Sequence, residues 1–143
     1  MKRTLLLLGT CYTLAACDPV RSAAIQVAPH PQQDADSTSQ VAAFAIAERV
    51  ARLHGLVQIG PNDRGPEDWT TCFGERSLFL CWKVKEREAQ FRIREWGFHL
   101  SPLAEGVRDD LIAALRAQFG SVRVRECTWR GNGCAPLSMP DRG

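Results

Sequence analysis

SLFLCWKVKEREAQFRIREW, Ser77 to Trp96, is the stretch whose reading decides the fold. In its first half Leu78, Leu80, Trp82 and Val84 alternate with Phe79, Cys81, Lys83 and Lys85; in its second half Phe91 and Ile93 alternate with Arg92 and Arg94. A period of two is the signature of a strand with one buried face. A turn at Arg87-Glu88 pairs Val84 with Phe91 and Trp82 with Ile93, which brings all four apolar side chains to one face of an antiparallel hairpin.

Outward from this hairpin the period changes to that of helices. Upstream, from about Ser39 to His54, Ala43, Ile46, Ala47, Val50 and Leu53 recur at steps of three and four, with Ser37, Thr38 or Ser39 as cap and Gly55 as stop. Leu56 to Ile59 is a candidate short strand, and Gly60 to Asp68, rich in proline and glycine, is a loop. Downstream, Ser101-Pro102 starts a second helix with serine at the N-cap and proline at N1, carried by Val107, Leu111, Ala114, Leu115 and Phe119 and stopped at Gly120. Ser121 to Cys127, with Val122 and Val124 against Arg123 and Arg125, is the last expected strand. The order α-β-β-α-β, with one extra short strand allowed, implies an α+β two-layer sandwich with two helices on one face of a small, mainly antiparallel sheet. Its expected core is Leu78, Leu80, Trp82, Val84, Phe91, Ile93, Val122 and Val124 with the two helical stripes.

The other end of the argument is the start of the chain. Met1-Lys2-Arg3 precedes an apolar run from Thr4 to Ala16, which is shorter than the ~20 residues a membrane-spanning helix needs. Positive start, short apolar run and small terminal residues read as an export signal. The run ends in Leu14-Ala15-Ala16-Cys17, followed by Asp18-Pro19. This four-residue ending resembles the lipobox of bacterial lipoproteins, and the resemblance covers only residues 1 to about 19. It implies cleavage before Cys17, a diacylglycerol on the Cys17 thiol and a fatty acyl group such as palmitate on the new amino terminus. Asp18 resembles the inner-membrane retention signal of some enteric bacteria, and either membrane of the envelope fits the address. The expected organisation is therefore a signal peptide at 1–16, a flexible Pro/Gln-rich tether at 17–37, one domain at 38–134 and a disordered tail at 135–143. A tether of ~20 residues would span roughly 25 Å and hold the domain away from the lipid.

Cleavage of residues 1–16 from the 143-residue chain leaves 127, a length for one domain. The formal charge of +2 includes Lys2 and Arg3, so the mature chain is close to neutral, which argues against nucleic acid as a partner. Beyond Cys11 and Cys17 there remain Cys72, Cys81, Cys127 and Cys134, an even count that in an exported chain implies disulfides. Four cysteines admit three pairings. A tight hairpin across Phe73 to Leu80 favours 72–81, and a turn within Thr128 to Gly133 favours 127–134, against the two crossed alternatives. The spacings do not match a zinc knuckle, so no metal and no cofactor is expected.

No nucleophile elbow, phosphate-binding glycine loop or calcium-loop series occurs, and no catalytic residue is assigned. His30, His54 and His99 are expected to be solvated or near helix ends. The hairpin instead gathers Lys83, Lys85, Arg92 and Arg94 on the face away from the helices, with Phe79 and Trp96 paired across that same face and Glu86, Glu88 and Glu95 as counter-charges. Arginine and large aromatics are enriched at protein contacts, so these six residues form the candidate binding face. The expected function is a non-enzymatic envelope lipoprotein facing the periplasm, bound to membrane lipid through Cys17, that binds an assembly component or neutralises a toxin or hydrolase. The alternative is a small envelope enzyme or cell-wall ligand binder, with His99 and the loop 60–68 at its site.

Overall fold

The structure is a computed structural model; it describes residues 20–29, 37–60, 69, 71–130 and 133–136. The elements run β1 (Val20–Val27), α1 (Ser37–Leu53), β2 (Val57–Gln58), β3 (Thr71–Glu75), β4 (Leu78–Lys85), β5 (Glu88–Trp96), α2 (Pro102–Phe119), β6 (Val124–Arg130) and β7 (Gly133–Pro136). They form one antiparallel seven-stranded sheet in the order β2-β3-β4-β5-β1-β6-β7. The expected α-β-β-α-β sandwich is corrected by this finding, since the sheet has seven strands where three or four were expected and the first strand lies inside it, between β5 and β6.

That first strand is the largest departure. Residues 20–27 fall in the stretch expected to be a tether, yet β1 sits between β5 and β6, with Ile25 opposite Phe91 and Val27 opposite both Ala89 and Val124. Alternation explains it: Ala23, Ile25 and Val27 face the helices, while Ser22, Ala24 and Gln26 face away. Small alanines and a flanking proline conceal that alternation in the sequence. Neighbours on both edges supply the ladder and the packing that its intrinsic propensity lacks. At the other end, Ala135 and Pro136, expected in a frayed tail, belong to β7, which pairs with β6; residues 137–143 lie outside the described residues.

The core follows from the register. Phe73, Leu80, Ile93 and Ala23 form one cross-strand row; Trp82, Phe91 and Ile25 form the next; Ala89, Val27 and Val124 form a third. All three rows point to the same side, where they meet Ala43, Ile46, Ala47 and Val50 of α1 and Ala104, Val107, Leu111 and Leu115 of α2. Each fully buried large side chain contributes about 1.5–3 kcal/mol relative to exposure. Phe44 of α1 joins the aromatic centre, its ring stacked 6.2 Å from Trp82 and edge-on to Phe91.

The expected stripe of α2 is present, and Ser101 is its N-cap, its Oγ accepting from the Ala104 N–H at 3.2 Å. Beneath this cap lies Glu95, 8% exposed, whose carboxylate accepts from the Ser101 N–H at 2.7 Å. A carboxylate there meets the positive end of the helix dipole. Glu95 is thus a core-face residue and not a counter-charge on the outer face. Two expected core valines are also corrected. Val122 is 85% exposed because α2 runs to Phe119 and the chain turns through residues 121–123 before β6 starts. Val84 is partly exposed at the far end of its row. Ser37 and Thr38, two of the three expected caps, are the first residues of α1, and their side chains lie outside the described residues.

Candidate functional site

The candidate face is built by the β4–β5 hairpin. Its turn is Glu86-Arg87, and both residues have positive φ, 51° and 70°, the geometry of the tight two-residue turn that matches strand twist. The turn therefore lies one residue earlier than expected and the pairing shifts by two, so that Trp82 faces Phe91 and Leu80 faces Ile93. A shift of two preserves the side-chain alternation, and every residue keeps its face. Lys83, Lys85, Arg92 and Arg94 do share the face away from the helices, with Lys83 opposite Gln90, Lys85 opposite Glu88 and Phe79 opposite Arg94. Arg125, opposite Gln26 on β1, adds a cation to the same face. The expected Phe79–Trp96 pair does not form: Trp96 lies at the end of β5 opposite Val20, and its N–H donates to Ser77 O at 3.3 Å.

This face is not a bare sheet. Gln90 and Ala24 on it are buried, and Phe79, Lys83, Lys85, Arg92 and Arg94 are half-buried. Trp69, itself buried, lies against it, with the Lys83 ammonium 4.8 Å from its ring centroid. A cation so placed is held by the ring quadrupole, worth about 0.5–2 kcal/mol. Of the six expected residues, Trp96 alone is exposed, at 46%, and it stands apart at the sheet's end.

The two disulfides brace the same face. Cys72 and Cys81 are directly opposed across the β3–β4 hairpin, Cα atoms 4.1 Å apart, and form one bond; Cys127 and Cys134 form the other across β6 and β7. In the second hairpin Cys134 is opposite Trp129 and Cys127 is opposite Pro136, so that pair is diagonal and not opposed.

The described histidines, His54 and His99, lie beside different elements. His30 and residues 61–68 of the expected loop lie outside the described residues. His99 is exposed in the turn before α2. His54, after the last turn of α1, contacts Asp110 of α2 through Nε2 and Oδ2 at 2.7 Å, which joins the two helices. The two residues are 56 positions apart, and no local sequence pattern signals the pair. The neighbouring Asp109 bonds Arg108 at 2.9 Å, and this bond is the main cause that holds the guanidinium above its ordinary range. A shallow cleft between α1 and the sheet edge, lined by Val41, Phe44, Glu48, Gln58, Phe73 and Trp82, has aromatic walls. Among the described residues, no group of three or more His, Cys, Asp or Glu side chains is placed to hold a metal ion.

Comparison of the chain with protein-family models, with curated proteins and with solved structures finds no match.

Proposed function

We propose that this protein is a lipid-anchored binding module of the bacterial envelope, held by acylated Cys17 and presenting its cationic sheet face to an acidic protein partner. The address rests on the Leu14-Ala15-Ala16-Cys17 ending, and the two disulfides fit an oxidising compartment. One observation carries the binding reading: Lys83, Lys85, Arg92 and Arg94 stand on one face of a braced hairpin, joined by Arg125 from β6. Like charges gathered on a rigid sheet raise the local potential and steer an oppositely charged partner. The partner is an assembly component, or a toxin or hydrolase that this domain neutralises.

The test is cross-linked capture from native envelopes with Cys17 intact, beside a variant carrying Lys85→Glu and Arg94→Glu. Lys83 is left in place because it contacts Trp69. Loss of a captured partner by at least tenfold in a variant with an unchanged circular dichroism spectrum is the expected result. Equal capture by both proteins contradicts the reading.

A further inference from the structure

The start of β1 constrains where the domain sits. Val20 is three residues after Cys17. Even fully extended, three residues reach about 10–11 Å, so an acylated Cys17 holds this end of the sheet within that distance of its lipid. The long spacer expected from the sequence is therefore missing between anchor and fold.

This same end carries a cluster of exposed apolar side chains. Val20 is opposite Trp96, and both are exposed, Trp96 at 46%. Two residues on, after Gly97 turns the chain at a φ of 143°, Phe98 is 71% exposed. Its carbonyl accepts from the Arg21 guanidinium, which ties the loop to β1. Leu103, in the first turn of α2, is also exposed. Trp96 and Phe98 are both exposed aromatics, whereas the exposed apolar residues of the opposite end, Val84 and Val122, are single aliphatics. Exposed Arg21, and Arg76 in the β3–β4 turn beside Trp96, supply positive charge at the rim.

Exposed tryptophan and phenylalanine with adjacent cations suit the lipid headgroup zone, where amphipathic rings settle and anionic lipids attract arginine. We propose that Val20, Trp96, Phe98 and Leu103 seat this end of the domain in the headgroup layer of the membrane that holds the Cys17 anchor. The proposal rests on acylation of Cys17, and it adds a second, side-chain contact to the bilayer. Strands then rise from the membrane, and the eight residues of β1 carry the far end of the sheet about 25 Å away. Lys83 and Lys85, near the far turn, stand clear of the lipid for a partner.

The experiment uses the full-length protein purified from membranes and placed in phosphatidylethanolamine–phosphatidylglycerol vesicles whose acyl chains carry bromine, which quenches nearby tryptophan. Acylation is read in parallel by incorporation of an alkyne-palmitate label that depends on Cys17. The measurement is made in a Trp129→Phe background, where Trp69 and Trp82, both buried in the protein, are the other tryptophans, so bromine quenching is expected to fall at least twofold when Trp96→Phe is added. Phe98→Ser with Leu103→Ser, Trp96 kept, is expected to weaken quenching as well, with the circular dichroism spectrum unchanged. Equal quenching with and without Trp96 in the Trp129→Phe background, in a labelled protein, overturns the membrane seat and leaves the anchor standing. Absence of the label overturns both. Trp96 left unquenched in vesicles but shielded from acrylamide in native envelopes assigns the patch to a protein partner and also overturns the membrane seat.

Discussion

Substitution Ile25→Ala probes the strand that the sequence conceals. Ile25 is 1% exposed, opposite Phe91 on one side and Glu126 on the other, in the row that includes Trp82. The change removes three carbons, worth about 0.8 kcal/mol each in transfer, or about 2.4 kcal/mol together. The cavity left among rings that relax only in part raises the expected loss to about 3–4 kcal/mol. With a urea slope of about 1.5 kcal/mol per molar, the unfolding midpoint drops by roughly 2 M. Urea titration followed by circular dichroism reads this directly, with Val122→Ala, at an exposed site, as a control expected within about 0.5 kcal/mol of the native protein. A loss below about 1 kcal/mol for Ile25→Ala would refute the placement of β1 and restore the flexible tether.

Three further outcomes are expected. Ser101→Ala removes the side-chain cap of α2 and lowers stability by about 1 kcal/mol in the same titration. Cys72→Ala combined with Cys81→Ala opens a loop closed across nine positions and costs about 2–3 kcal/mol, read as a lower unfolding temperature. Gly74→Ala would set a new Cβ 2.8 Å from the Phe79 ring and 3.0 Å from the Leu78 carbonyl, so a loss of about 1–3 kcal/mol is expected in the urea midpoint.

The parts of the fold legible in the sequence are those with strong local periods. Leu78 to Ile93 alternate over two runs joined by one turn, and α2 has cap, proline, apolar stripe and terminal glycine all in agreement. The turn itself was misplaced by one residue because Glu86 and Arg87, unlike asparagine or glycine, do not advertise positive φ. β1 was missed because its core positions are Ala23, Ile25 and Val27, too small and too few to stand out beside the prolines at 19, 29 and 31. Its partners, Glu88–Trp96 and Val124–Cys127, are distant in sequence, and pairing with them determines its structure. Glu95 was readable: its odd number places it with Phe91 and Ile93 on the core face, and only its charge argued otherwise. The four cations of the sheet face were legible through alternation alone. Trp69 stacking on Lys83, and the End-on cluster of Trp96, Phe98 and Val20, depend on tertiary neighbours and were not.

The central claim is that Cys17 carries the lipid and leads almost at once into the sheet. The most direct measurement is the mass of the amino-terminal peptide released from the membrane-extracted protein. The expected peptide begins at Cys17 and bears a thioether-linked diacylglycerol with an amide-linked acyl chain. A peptide with an unmodified Cys17, or one that begins at another residue, would contradict the claim.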